Sequence, residues 1–294
     1  MAGGVIYGGV EGGGTKFDCI VGTGPNDITA SVRIPTTTAV ETLAAAAGFF
    51  ADQEVAALGV ATFGPLDLDP SSATYGEVIS STKAGWSGAN VAGTLGTAMG
   101  VPVAFDTDVN GAALGEERWG AGQGLDPLLY VTVGTGIGGG GIVNGAPLHG
   151  LVHPEMGHIR VPRHPEDSFA GNCPYHGDCL EGLAAGPAIA ERWGRPGEDL
   201  GGDTDAAVAL EAHYLGVAMA TLALVISPQR IILGGGVLEM PGLLEATIRA
   251  MEKSLGGYAP PIAEDSAGYL VPPGLGSKSG VLGALVLAEG ASGL

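Results

Sequence analysis

The chain has 294 residues, 45% of them hydrophobic, with 54 glycines and a formal net charge of −19 from 12 basic and 31 acidic residues. That apolar share excludes a disordered chain, and glycines without a period of three exclude collagen. The acidic surplus leaves no broad basic face for duplex nucleic acid or an anionic membrane.

The length predicts about two domains. The cysteines are Cys19, Cys173 and Cys179, an odd count that argues against a secreted disulfide scaffold. Met1-Ala2-Gly3-Gly4 carries no basic leader. The longest uncharged apolar run, Leu215–Ile226, is short of the about 20 residues of a membrane span. The expectation is a cytoplasmic protein that binds neither nucleic acid nor membrane.

In chain order, Val5–Val10 reads as a strand, Glu11–Lys16 as a glycine-rich turn and Phe17–Val21 as the returning strand. Val40–Phe50 is alanine-rich and predicts a helix. Ala56–Ala61 is a short strand ended by Gly64-Pro65. Ala89–Met99 predicts a helix, Val101–Phe105 a strand and Asn110–Trp119 a helix. This order predicts a mixed sheet in an α/β domain. After the break at Gly120–Gly124 the pattern restarts with a strand at Leu128–Val133. A turn at Gly134–Gly141 and a returning strand at Ile142–Ala146 follow. Residues 149–179 read as loop, and Gly182–Trp193 and Asp205–Ile226 as helices. The strand Ile231–Leu233 runs into Gly234-Gly235-Gly236, and Gly242–Leu255 is helical. The last helix, Gly280–Glu289, is expected to pack back on the first domain. Both halves begin strand, glycine turn, strand. That duplication predicts two related domains facing each other across a cleft. The expected lobes are residues 1–117 with 280–294, and residues 118–279.

Three glycine turns carry the chemistry: Glu11-Gly12-Gly13-Gly14-Thr15-Lys16, Gly134-Thr135-Gly136-Ile137-Gly138-Gly139 and Gly234-Gly235-Gly236. Without Cβ atoms, backbone amides can point together and bind phosphate oxygens. Gly134, Gly136 and Gly139 match a dinucleotide fingerprint literally, but a strand follows where that motif opens a helix. The first turn has the order Gly-Thr-Lys, whereas a Walker loop needs Gly-Lys-Ser/Thr before a helix. Ordinary hairpin turns are the plain alternative.

Phe105-Asp106-Thr107-Asp108-Val109-Asn110 sits where a strand ends and a helix starts. Asp106 and Asp108 would share one strand face, and Asp108 stands near a helix cap. Aimed into a cleft, Asp108 could take the proton of a sugar hydroxyl as its oxygen attacks phosphorus. Cys173-x-x-His176-x-x-Cys179 brings three N/S donors within seven residues, and His158 could be the fourth. Zinc favours such a tetrahedron. His149, His153 and His164 are competing ligands, and Cys19 reads as a small core residue. Glu155 and Glu181 flank the Cys/His segment and could each grip neighbouring hydroxyls.

In this order the motifs resemble the ROK family of sugar kinases, over nearly the whole chain. Glu11–Lys16 looks like the first phosphate motif, Phe105–Asn110 the segment of the catalytic aspartate, and Val133–Gly140 the second phosphate motif. Glu155–His158 with Cys173–Glu181 resembles the sugar-and-zinc signature, and Leu233–Val237 the nucleotide-side turn. Val10–Phe17, Thr82-Lys83-Ala84-Gly85-Trp86 and the Cys-x-x-His-x-x-Cys form are most similar to bacterial fructokinases.

The resemblance implies a two-domain actin-like ATPase fold, ribonuclease H-like, with a cleft between the lobes. It implies Asp108 as general base, ATP with Mg²⁺ as donor, a bound Zn²⁺ and a homodimer. Phosphates would lie on Glu11, Gly12, Gly13, Gly14, Thr15, Lys16, Gly134, Thr135, Gly136 and Gly138, and the nucleoside near Gly234, Gly235 and Gly236. The sugar would meet Gly64, Pro65, Thr107, Asp108, Glu155, His158 and Glu181. Zinc would sit on His158, Cys173, His176 and Cys179, with one nitrogen of His158 on the metal and the other on the sugar. The expected product is fructose 6-phosphate. A glucokinase or broad hexokinase/mannokinase of the same architecture is the alternative, and a non-catalytic sugar-binding protein a remote one. A sugar-responsive repressor would need a DNA-binding segment ahead of the first strand. Glu11 stands where the wider family often has Asp, and Thr107 where it often has Asn.

Overall fold

The computed structural model describes residues 5–81 and 83–293. Residues 1–4, Thr82 of the Thr82–Trp86 segment, and Leu294 lie outside them. The chain divides into two compact units. The first holds the residues up to Gln123, Ala146–Pro154 and the residues from Ser277 onward; the second holds Gly124–Gly145 and Glu155–Gly276. Compared with the lobes read from sequence, the first unit thus takes in 118–123, 146–154 and 277–279.

The first unit opens with strands β1 (Tyr7–Gly12), β2 (Lys16–Gly24) and β3 (Asp27–Pro35), then helix α1 (Ala39–Phe50) and strand β4 (Leu58–Thr62). Two-residue strands β5 (Glu77–Val78) and β6 (Ala89–Asn90) pair ahead of helix α2 (Val91–Met99). Strand β7 (Val103–Thr107), helix α3 (Asp108–Trp119), the short strand β10 (Ala146–Pro147) and the last helix, α10 (Ser279–Ala291), complete it. The sheet order is β3-β2-β1-β4-β7; β1 and β2 are antiparallel, and β1, β4 and β7 run parallel.

Helix α1 starts where Thr38 accepts the Glu41 amide and donates its hydroxyl to the Glu41 carboxylate. That reciprocal pair satisfies donors a helix start leaves orphaned. Leu43, Ala46 and Phe50 recur at helical spacing and face the core. The core beneath holds Phe17, Leu58, Val60, Trp86 and Leu95, all fully buried. Trp86 stacks 5.3 Å from Phe17 and donates Nε1 to the Thr37 carbonyl at 2.8 Å. Strand β3 was not expected between Val21 and Val40. It alternates exposed and half-buried positions, so only one face is covered and its apolar signal is diluted.

Helix α10 packs on β1, β4 and α3 with backbone against backbone. A Cβ added at Gly59 would collide with the Ala284 carbonyl, and one at Gly283 with the Gly111 carbonyl. Many glycines therefore serve close packing rather than ligand turns. Gly59→Ala is expected to cost roughly 1–3 kcal/mol by overpacking, read as a lowered thermal midpoint.

The second unit carries β8 (Leu128–Val133), β9 (Ile137–Val143), α4 (Leu180–Ala184), α5 (Gly186–Trp193) and α6 (Thr204–Ile226). Then follow β11 (Arg230–Gly234), α7 (Leu243–Leu255), α8 (Pro260–Glu264), α9 (Ser266–Tyr269) and β12 (Leu270–Val271). Within this unit the order is β9-β8-β11-β12, with β8/β9 antiparallel and β8, β11 and β12 parallel. The first unit has the same hairpin-plus-parallel arrangement in β2-β1-β4-β7.

Two expectations change here. The turn after β8 closes within Gly134–Gly136, and Gly138–Gly141 are strand residues paired with β8. A Cβ at Gly139 would strike the Met156 side chain, so those glycines make room for the segment that carries His158. The helix expected over 182–193 is two helices, α4 and α5, with Ala185 extended between them. Pro187 lacks the N–H that would reach the Leu183 carbonyl; Arg192 Nη2 donates to that oxygen instead, at 2.7 Å.

The uncharged run at Leu215–Ile226 is only the second half of α6. The helical stretch Gly201–Ile226 has a window of mean hydropathy 1.7 and is, by length and composition, apolar enough to cross a membrane. In the structure 56% of that window is buried. Tyr214, Leu215, Ala218, Met219 and Leu222 are buried on it, and it packs on α4 and α7.

Candidate active site

In the first unit the carboxyl ends of β1, β4 and β7 lie side by side, the edge of a parallel sheet where ligands generally bind. The Phe63 amide donates to the Gly12 carbonyl at 2.9 Å, and the Thr62 hydroxyl lies 3.3 Å from the same oxygen. The β1–β2 turn is closed by the Gly13 amide on the Lys16 carbonyl at 2.8 Å, which leaves Gly14 and Thr15 exposed at the tip. Lys16 Nζ lies 2.6 Å from Asp18, which also takes Arg33 Nε at 2.7 Å. Burial opposes ionisation of Asp18, but the bonds from Arg33 and Lys16 outweigh it and hold the carboxyl low. Lys16 is thus already shared with Asp18.

Glu11 ends β1 beneath the first turn of α10. Its carboxyl takes a hydrogen bond from the Val281 amide, a favourable place for negative charge. Oε2 is buried with no partner. Burial, then the charge of Asp108, pushes this carboxyl up to about 7.

At the end of β7, Asp106 accepts the Thr107 amide at 2.7 Å and Asn110 Nδ2 at 2.8 Å. His149 Nε2 lies 3.0 Å from its other oxygen. Sequence alone placed Asp106 and Asp108 on one strand face; the helix begins at Asp108, so they do not share one. Thr107 is buried and its hydroxyl caps α3 by accepting the Asn110 amide at 3.1 Å. It takes the capping role that sequence offered to Asp108. Asp108, half-buried, accepts the Val109 amide at 2.9 Å and is the acid in the first turn of α3.

In the second unit the turn after β8 and the turn after β11 meet at the start of α5. The Gly186 amide donates to the Gly134 carbonyl at 2.8 Å. Gly235, at φ +97°, packs on the Val133 backbone where a Cβ would collide. Thr135 and Gly236 are exposed at the two tips. Glu181 closes the other side: its Oε2 accepts the Ile137 amide at 2.9 Å, and its Oε1 lies 4.0 Å from His158 Nε2. Glu155 is exposed just ahead of the short turn Met156–His158.

The other nitrogen of His158 faces sulfur. Nδ1 lies 3.4 Å from Cys179 Sγ and 3.7 Å from Cys173 Sγ, and His176 Nδ1 is 3.6 Å from Cys173 Sγ. One donor atom from each of the four residues lies within 4.8 Å of the others, a set that could hold a metal ion. His149, His153 and His164 are not part of it. Burial pushes Cys179 up to about 11; the Gly182 amide opposes it, and the Cys173 thiol and the Glu181 charge add smaller upward pushes. Cys19 is fully buried in the core of the first unit.

Sequence reasoning did not find the Glu181–Ile137 bond, the Asp106–His149 pair or the Gly186 contact. Only the last had a local signal, the helix-starting dipeptide Gly186-Pro187.

A family model described as the ROK family matches residues 7–291. The chain belongs to the ROK family. It is 43% identical over 291 residues to a fructokinase of Zymomonas mobilis, covering 96% of both chains. It is 38% identical over 289 residues to a fructokinase of Pediococcus pentosaceus, covering 98% of this chain and 99% of that one. Among solved structures it is similar to a ROK family glucokinase from Streptomyces griseus in complex with glucose and AMPPNP. That match has a TM-score of 0.78 at 27% identity and covers 97% of this chain and 99% of the other. The fold is the actin-like ATPase fold of ROK sugar kinases.

Glu11 gives this site a pH signature. Below the ordinary carboxyl value of 4.5 the folded and unfolded chains both hold its proton, so it adds nothing. As pH rises through about 7 the fold must keep a buried carboxylate, and stability is lost. Glu11→Gln should therefore match the native chain at pH 4 and unfold at a higher temperature at pH 8. Thermal melts without nucleotide or divalent cation check this.

Proposed function

We propose that the protein is an ATP-dependent fructokinase, converting fructose and ATP to fructose 6-phosphate and ADP with Asp108 as general base. The observation that carries it is the position of Asp108. It opens α3 at the carboxyl end of a parallel strand, while its neighbours Asp106 and Thr107 are buried and bonded elsewhere. Full-length similarity to named fructokinases supports fructose as the acceptor.

Asp108 accepts the proton of the sugar hydroxyl as its oxygen bonds to the γ-phosphorus. The bond from that phosphorus to the bridging oxygen breaks, and ADP leaves. Such a transfer needs positioning and donors more than covalent chemistry. The exposed turns at Gly12–Lys16 and Gly134–Gly136 offer backbone amides to phosphate oxygens, and the start of α5 beside Gly134 adds a helix N-terminus. Gly138, a strand residue, supports the second turn rather than lining it. Gly234–Gly236 would face the nucleoside. Gly64, Pro65, Glu155, His158 Nε2 and Glu181 would hold the sugar; Thr107 is left out.

Magnesium fits the orphaned, buried Oε2 of Glu11 near the charge of Asp108. Bound with nucleotide, it would neutralise phosphate charge, and Glu11 would then hold a carboxylate. Zinc fits the four N/S donors: three of their separations are 3.4–3.7 Å, near the edge of about 3.5 Å expected for a zinc tetrahedron, and all lie within 4.8 Å. With all positions filled the ion would be structural, fixing His158 and the Cys179 thiolate that burial disfavours. A homodimer and a cytoplasmic setting belong to the same reading through the family resemblance.

The second reading is glucokinase, favoured by the glucose-bound structural relative. A hexose panel with Mg-ATP and an ADP-release assay decides: fructose should give the highest kcat/KM, and a higher value for glucose overturns the choice. Asp108→Asn should fold normally and lose roughly 10²–10⁴-fold in kcat; near-native turnover removes Asp108 from the mechanism. Metal analysis should find one zinc per chain, and Cys179→Ser should lose it.

A further inference from the structure

The segment Ala146–Pro154 belongs to the first unit and is fastened there by two histidines. His149 reaches Asp106, and Nε2 of the buried His153 accepts the Leu66 amide at 3.0 Å. Between the two pins Gly150 and Val152 close a small loop, which leaves Leu151 fully exposed. Past β10, the two histidines are fixed points of this strap.

The His153 bond is specific in chemistry and place. A ring nitrogen that accepts from a backbone N–H carries no proton, so the proton of neutral His153 sits on Nδ1, which faces the Pro154 carbonyl at 3.4 Å. Leu66 is itself buried and directly follows Gly64-Pro65. The turn is held on one side by the Ile79 amide on the Pro65 carbonyl, at 2.8 Å, and on the other by His153. A Cβ at Gly64 would sit 3.2 Å from His153 Nε2, so turn and ring are in close contact. Two residues past His153 comes Glu155, and three more lead to His158.

We propose that His153 is a positioning residue for the hexose: through Leu66 it locks the Gly64-Pro65 turn to the strap that runs directly into Glu155 and His158. This deepens the sugar-kinase reading and rests on it. His153 touches neither phosphate nor the attacked hydroxyl in that reading; it acts through the turn, so its loss weakens sugar capture rather than phosphoryl transfer.

The test compares His153→Gln with His153→Asn. Glutamine places an acceptor oxygen near the position of Nε2, and asparagine places one near Nδ1, so both are polar and only glutamine can reach Leu66. With the best hexose of the panel, His153→Asn should raise the sugar KM about tenfold or more while kcat and the ATP KM stay within about threefold, and His153→Gln should stay near native. Hydrogen–deuterium exchange over 64–68 should speed up in His153→Asn and not in His153→Gln. Equal sugar KM in both variants, a fall in kcat at constant KM, or equal exchange in both overturns the proposal. Native protein that turns over no hexose overturns the sugar-kinase reading before any variant is made, and the exchange comparison still decides whether His153 holds the turn.

Discussion

The backbone contact between α10 and the first sheet is the constraint on which the candidate residues of the first unit depend. The end of the chain returns to lie on β4 and α3, and it can do so only because Gly59, Gly111, Gly115 and Gly283 carry no Cβ. Two consequences follow at the same edge. The first turn of α10 comes down on Glu11, whose carboxyl fits against Gly280 only because that residue has no Cβ, and it bonds to the Val281 amide. Helix α3 is held so that its first residue, Asp108, stands at the end of β7. Glu116, fully buried, ties the two helices by accepting the Ser279 hydroxyl at 2.6 Å. Interiors this dense transmit small volume changes, so a methyl group at Gly59 would be felt at the site.

The second unit solves a parallel problem with different means. The Cys/His loop has little apolar content, and buried polar bonds hold it instead. Arg192 bonds Asp167 at 3.1 Å, Glu211 at 3.1 Å and the Leu183 carbonyl, while the Tyr214 hydroxyl donates to Asp167 at 2.6 Å. Burial pushes Glu211 up to about 8, against the pull of Arg192. A set this buried adds little net stability, but removing one partner strands the others. It fixes the loop to α4, which carries Glu181, and to α6. The glycines of β9 then let Met156 and Gly157 lie flat on the sheet. His158 is thereby presented with one nitrogen toward the sulfurs and the other toward Glu181.

Legibility in the sequence followed physical range. The strand–turn–strand pattern of both halves was readable because period and turn chemistry are local properties. The Cys173, His176, Cys179 spacing with His158 was readable because a short loop can close only a few ways. The edge strand β3 was not, since one covered face dilutes the apolar signal. The break at Ala185 was missed although Pro187 announced it. The capping role of Thr107 was not read, because a hydroxyl before a helix serves as ligand or cap, and only the fold shows its bond to the Asn110 amide.

By itself the sequence determined which residue types are available: glycine turns after apolar strands, one acidic step into a helix, and four N/S donors in a short stretch. Those depend on neighbours within a few residues. Tertiary structure alone decided which atoms of those residues are already committed. Asp106 is engaged by His149 and Glu181 by the Ile137 amide. His149 lies 43 residues from Asp106 and Glu181 lies 44 from Ile137. No local pattern encodes such pairings; the folding of distant segments within each unit creates them.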